Sequence, residues 1–283
     1  MTRRLRPPRK PSCHPHHSLF TRFLKEMPKM DQSSFKLPST FLSKPNPAVV
    51  QKTVINFKKT PLPEYQGLFA AILDNVLSRG ECDDLIRAAE ATTGGQWEQA
   101  MINVGNGEQM LIPDARDCGR IIWDDKDVVA RIWARVKDHV PEVDLLKNMP
   151  QVTGSGPTKR KEVLHMTRLN ERMRFLKYTS GQYFRPHCDG VYVTPDGSER
   201  SQYTLHLYLN DSDDATSGAQ MEGGATRFHS LSSDESKYWD VEPRVGRVLI
   251  FQHRGLLHSG DDVRNGTKYT LRTDLMYQKL DEY

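Results

Sequence analysis

The 283-residue chain is poor in cysteine: Cys13, Cys82, Cys118 and Cys188 are all it has, and no two are spaced as CxxC. This excludes a dense disulfide scaffold or a zinc ribbon and points to a reducing compartment, the cytoplasm. Long apolar runs are missing too. Nothing approaches the ~18 consecutive apolar residues of a membrane span, so no membrane partner is expected. A basic excess is also missing from the body of the chain. Residues 1–60 hold 13 Lys and Arg against Glu26 and Asp31, a net +11, which leaves 27 against 34 over the remaining 223 residues, a net −7. A nucleic-acid footprint requires a basic face on the folded domain itself, so no nucleic-acid partner is expected.

What is present divides the chain. Residues 1–60 form a basic tail rich in Pro and Ser, with Pro7, Pro8 and Pro11 opposing any regular helix. A solvated, disordered tail is the expectation. A mitochondrial presequence is the alternative, since Arg is plentiful and no acidic residue precedes Glu26. Residues 61–283 are read as one domain, with helical support over about 65–150 and a strand-built core over about 164–280. One helix is expected from Ser78, with Glu81, Asp83 and Asp84 near its positive end and Gly94 and Gly95 closing it. The spacing of Val128, Val129, Ile132, Trp133 and Val136 predicts a second over 127–136. Residues 151–162 are read as an exposed loop. Strands are expected at 173–178, 203–209, 225–228, 246–252 and 268–277, separated by turn-rich pieces such as TPDGSE and VRNGT. The fold class is therefore α+β, with a double-stranded β-helix (jelly roll) as one solution for the core and helices flanking it on the N-terminal side.

The chemistry is concentrated in YTSGQYFRPHCDG, residues 178–190. His187 and Asp189 are two apart, so on extended chain their side chains leave the same face and can take adjacent corners of one metal. A third ligand must come from elsewhere, and His258, after the apolar run RVLIF, can supply it. Two imidazoles and a carboxylate on one face suit non-haem iron(II) and leave coordination positions open. Lys268, ten residues after His258 at the start of KYTLRTDLMY, offers a cation to the free carboxylate of an iron-chelated 2-oxo acid. Gly266 suits the tight turn entering that strand. Cys188 should point away from the metal. His253 lacks a basic residue ten positions on, and His206 reads as a packed, hydrogen-bonded core histidine, with a place lining the cavity as the alternative.

The segment 173–277 resembles the catalytic domain of 2-oxoglutarate/iron(II) oxygenases, in the prolyl 4-hydroxylase-like branch. Tyr178, Gly181 and Phe184 precede the HxD. Tyr208-Leu209-Asn210, the GGxTxF turn at 223–228, and Pro243, Gly246 and Phe251 follow it, and LDNVLSRGECDDLI at 73–86 is similar to the family's N-terminal helical region. The resemblance implies a jelly-roll fold, with His187, Asp189 and His258 as iron ligands. It implies that Lys268 pairs with the far carboxylate of 2-oxoglutarate, aided by a Tyr178 hydrogen bond. Arg272 is a rival for Lys268, because 268, 270, 272 and 274 share one strand face, and Thr270 could add a hydroxyl contact. The implied activity is hydroxylation of an unactivated C–H with O2, coupled to decarboxylation of 2-oxoglutarate to succinate, with ascorbate as an accessory reductant. The retained Asp189 favours hydroxylation over halogenation. The substrate is expected to be a prolyl or other protein side chain, with a small molecule as the alternative and a non-catalytic binding protein behind both. A peptide substrate requires an open groove bordered by 191–202. A small one requires a closed pocket capped by 95–120, where Arg116 and Arg120 read as structural or solvent-facing, with substrate contacts as the alternative.

Overall fold

The alternation of side chains along two strands organises this molecule, a computed structural model that describes residues 35–280 apart from 45, 47, 106–107, 212–220 and 233. In Glu199–Tyr208, Tyr203, Leu205 and Leu207 point one way and Thr204, His206 and Tyr208 the other. In Thr267–Lys279, Leu271, Thr273 and Leu275 alternate with Lys268, Thr270, Arg272 and Asp274. The two strands pair antiparallel, setting Thr204 opposite Asp274, His206 opposite Arg272 and Leu205 opposite Thr273. One face of this ribbon is therefore apolar and the other polar, and residues of both faces are buried.

The ribbon lies at the centre of a ten-stranded sheet whose path runs 51–54, 70–74, 248–252, 199–208, 267–279, 172–179, 119–124 and 98–99, with 145–147 and 163–169 joined at one side. A five-stranded sheet in the order 238–241, 226–229, 258–260, 183–187 and 116–117 faces its polar side. This is the expected jelly-roll sandwich with helices on its outer face. Helix α1 (Arg79–Thr93) buries Leu85 and Ala89, and α2 (Lys126–Val136) buries Val129 and Ile132, in the cluster that holds Leu205, Leu271 and Leu275. Between the sheets an aromatic plug of Phe57, Tyr65, Phe228 and Phe251 packs edge to face.

Both expected helices are present. The first begins with a capping box in which the Ser78 hydroxyl accepts from the Glu81 backbone N–H and the Glu81 carboxylate accepts from the Ser78 N–H; Gly94 closes it in the left-handed conformation. Ser78→Ala is expected to cost about 1 kcal/mol, read as a shift in the urea midpoint at constant slope.

Three expectations need correction. The region 65–150 is not purely helical, because Ala70–Asp74 and Gly119–Asp124 are strands of the large sheet. Short apolar runs such as AAILD have no period that separates a buried strand from a helix. Packing also starts before residue 61: Gln51–Val54 pairs with Ala70–Asp74, and Ile55 and Phe57 are buried. Residues 151–162 are not an open loop, since two short helices, Pro150–Thr153 and Ser155–Lys159, bury Val152 and Pro157. The expectations for the tail before residue 35, the presequence among them, lie outside the described residues. Among the described residues no helix is long and apolar enough to cross a membrane.

Candidate active site

His187 ends the strand Tyr183–His187 and stands directly opposite His258, which begins His258–Gly260. Asp189 follows two residues on, and one ligand atom from each of the three lies within 4.8 Å of the others. His187 Nε2 is 3.6 Å from Asp189 Oδ1, and His258 Nε2 is 3.8 Å from Asp189 Oδ2. The Nδ1 of His187 lies 2.8 Å from the Arg185 carbonyl, and that of His258 lies 2.9 Å from the Leu256 carbonyl. A carbonyl only accepts, so in both rings Nδ1 carries the proton and Nε2 keeps its lone pair for the cluster.

The larger sheet supplies the surroundings. Thr204 Oγ1 donates to Asp189 Oδ2 at 2.5 Å, and Arg272 Nη2 lies 2.9 Å from Asp189 Oδ1. Burial opposes ionisation of Asp189, yet the Arg272 guanidinium beside it holds its carboxyl well below the usual range. Burial pushes the His258 imidazole down to about 4, so it is neutral at ordinary pH, the form that ligates metals. Arg272 also reaches Asp274 at 3.4 Å, and His253, 3.6 Å from Asp274, stands outside the cluster as expected. Cys188 is exposed, also as expected.

Behind the cluster lies a narrow cavity bounded by Tyr178, His206, Phe251, His258 and Lys268. Lys268 faces Tyr178 across the strand pair, its Nζ 5.2 Å from the Tyr178 ring. The lysine is 1% exposed and makes no ion pair with a carboxylate among the described residues. Burial lowers its ammonium to about 8. Thr270 is buried on the same strand face with an unpartnered Oγ1. His206 takes the alternative place: it borders the cavity with an unpartnered Nε2 and is held neutral by burial beside Lys268 and Arg272. An unpaired buried cation and two orphaned polar atoms suit a small anionic ligand, as the 2-His-1-carboxylate donor set suits iron(II).

In front of the cluster is an open cleft of about 690 Å³, bordered by Met101, Ile102, Val191 and Tyr192 and sharing Arg116, Phe184, His187, Asp189 and Arg272 with the cavity behind. Beside it the hairpin Ile102–Gly105/Glu108–Met110 exposes Val104 and Met110, and the opposite border exposes Val191, Tyr192 and Val193. Arg116 and Arg120 are buried rather than solvent-facing. Arg120 is held by Glu98 at 2.8 Å, and Arg116 covers the Phe184 ring, which stacks on His187 with centroids 3.7 Å apart.

No curated protein matches the chain in sequence. Among solved structures it is similar to a viral collagen prolyl hydroxylase from Paramecium Bursaria Chlorella virus-1 in complex with 2OG, at 19% identity over 75% of this chain and 97% of that one, with TM-score 0.45. It is also similar to a Pseudomonas putida prolyl-4-hydroxylase (12% identity, 77% and 97% coverage, TM-score 0.47). A Trichoplax adhaerens prolyl hydroxylase in complex with a hypoxia inducible factor peptide fragment gives 13% identity, 74% and 83% coverage and TM-score 0.48. The model of the 2OG-Fe(II) oxygenase superfamily matches residues 173–273, the stretch that carries His187, Asp189, His258 and Lys268. That match covers the stretch from which the three-residue cluster is built, so residues 173–273 are similar in sequence to the 2OG-Fe(II) oxygenase superfamily and carry a donor set that suits iron(II).

Proposed function

We propose that this protein hydroxylates an aliphatic C–H of a protein side chain, prolyl or another, using iron(II) held by His187, Asp189 and His258 and 2-oxoglutarate seated on Lys268. The observation that carries this reading is the two-sided cluster. Behind it is a buried cavity holding an unpaired ammonium, and in front is an open cleft with exposed apolar borders at Val104, Met110 and Val191–Val193. An open cleft with such borders suits an extended segment better than an enclosed small molecule. When bound, iron(II) and 2-oxoglutarate would supply the electrons that activate O2, one oxygen atom going to the substrate and the other to succinate, with carbon dioxide released.

The chain's own residues hold and orient. His258 offers a neutral Nε2, and Asp189 offers a carboxylate kept ionised by Arg272 and steadied by Thr204. Arg272 is already committed to Asp189 and Asp274, which favours Lys268 as the cation for the far carboxylate of 2-oxoglutarate. The Tyr178 phenol and the Thr270 hydroxyl assist it. Tyr178 stays protonated because burial raises its pKa, so it can donate. Ascorbate, as reductant for turnovers not coupled to substrate, completes the proposed cofactor set. The unpaired thiols Cys82, Cys118 and Cys188 support a reducing compartment, the cytoplasm.

The test is an anaerobic titration of the protein with iron(II) and 2-oxoglutarate, beside the Asp189→Ala variant. A 2-oxo acid chelated at an open 2-His-1-carboxylate site is expected to give a weak visible band near ~500–530 nm in the wild type and none in the variant. A folded wild-type protein that retains no iron and shows no band would refute the assignment.

A further inference from the structure

Four of the five arginines along the open cleft have carboxylate partners. Arg120 meets Glu98 at 2.8 Å, Arg185 meets Asp262 at 2.8 Å, Arg174 meets Asp274 at 3.4 Å, and Arg272 meets Asp189 at 2.9 Å. Arg116 has none among the described residues. It is 7% exposed, and its neighbours are the Cys118 sulfur at 3.4 Å from Nε, the Met101 carbonyl at 3.5 Å from Nη1 and the Tyr178 phenol. The buried guanidinium thus meets a sulfur, a phenol and one long contact to a carbonyl, and no carboxylate. Leaving a buried charge so poorly compensated is costly, and a guanidinium is the group best shaped to take a carboxylate bidentately.

Its location says which carboxylate. Arg116 comes from Arg116–Asp117, at the edge of the smaller sheet opposite Phe184, and borders both the cleft and the inner cavity. Its guanidinium carbon lies 4.4 Å from the centre of the Phe184 ring, which stacks on His187. The cation is therefore one aromatic ring removed from the metal cluster. Lys268 already serves the far carboxylate of 2-oxoglutarate, and the other end of that molecule is committed to the metal. Arg116 is left facing the cleft.

We propose that Arg116 binds a carboxylate of the substrate, so that the C–H to be hydroxylated lies a few bonds from an acidic group, in a peptide bearing Asp or Glu or in a free carboxylic acid. This rests on the oxygenase reading above and adds the substrate's charge. The remaining cleft arginines reinforce it. Asp274 is shared between Arg174 and Arg272, and Asp189 is taken up by the metal, so the cleft of the loaded enzyme is short of negative charge.

The anaerobic iron(II)·2-oxoglutarate holoenzyme would be tested by equilibrium dialysis with two probe sets. One is short peptides carrying a single Asp or Glu, each against its Asn or Gln counterpart. The other is small aliphatic acids and N-acetyl amino acids, each against its primary amide. In at least one set the acid should bind about tenfold or more tightly than its neutral twin. Arg116→Met should erase that preference and Arg116→Lys should keep part of it; the responding set identifies the source of the carboxylate. The proposal is overturned if no acid outbinds its twin, or if the preference survives in Arg116→Met. It is also overturned if Arg116→Met raises the 2-oxoglutarate dissociation constant about tenfold, which would assign Arg116 to the co-substrate. A visible band in both proteins without an acid preference sinks only this inference. A missing band in the wild type sinks the oxygenase reading first.

Discussion

Lys268→Met is expected to raise the dissociation constant for 2-oxoglutarate by roughly 30- to 3,000-fold while leaving iron binding intact. Removing one partner of a buried charge pair costs about 2–5 kcal/mol, largely because the other charge is stranded, and each 1.4 kcal/mol is about tenfold. Thr270 and Tyr178 cannot compensate, since neither carries a positive charge. The wild-type protein should add a pH signature. Burial depresses the free ammonium to about 8, so below that pH it is already protonated and affinity should be flat. Above about 8 the free protein holds a neutral amine that must take up a proton to meet the carboxylate, so the dissociation constant should rise by about tenfold per pH unit. Lys268→Arg should bind 2-oxoglutarate without this alkaline loss, because a guanidinium stays charged. Calorimetric titration between pH 6 and 9.5 on the three proteins is the measurement. Equal affinities for wild type and Lys268→Met would remove Lys268 from the co-substrate site and return Arg272 to consideration.

The second large effect is on stability. Gly246 has φ +71°, and a Cβ there would sit 1.8 Å from the Leu77 carbonyl oxygen. The position is a junction: the N–H groups of Val76 and Leu77 donate to the Gly246 carbonyl, and the Gly246 N–H donates to Tyr208 O. Backbone meets backbone, so no side chain can swing aside. Gly246→Ala should destabilise the protein by roughly 4–5 kcal/mol, combining left-handed strain with a clash that displaces the start of α1 from the sheet. At about 2–4 °C per kcal/mol for a domain of this size, thermal unfolding should move down by roughly 8–20 °C. A loss under about 1 kcal/mol would mean that the junction yields more easily than its geometry implies.

That His187, Asp189 and His258 gather was legible in part from short spacings, His187 and Asp189 two apart and Lys268 ten after His258, while His258 itself comes from a distant strand. The helices were legible from their caps and periods. The strands 70–74 and 119–124 were not, because a few apolar residues without alternation carry no period, and neither was 51–54, whose QKTV holds a single apolar residue. His206 was legible only as a choice between packed core and cavity wall, for a related reason. Along KYTLRTDLMY and YTLHLYL the alternation of polar and apolar residues normally marks a strand with one wet face. Here the polar face of Lys268, Thr270, Arg272 and Asp274 points at a second sheet, and that sheet's strands lie up to 150 residues away in the chain. The bond between Arg272 and Asp189, and the lack of a carboxylate partner for Arg116 among the described residues, depend on such distant contacts, and no local pattern encodes them.

The placement of the inner cavity behind the cluster has a kinetic consequence. Arg116, Phe184, His187, Asp189 and Arg272 border both spaces, so the two adjoin, and a ligand seated in the open cleft would cover the cavity on that side. Under the proposed assignment, 2-oxoglutarate must enter before the substrate, and succinate must leave after the hydroxylated product. Turnover is then compulsory-ordered. An inert analogue of the substrate should slow exchange of the co-substrate without competing for its place, so excess substrate could trap succinate and inhibit the enzyme through its own abundance.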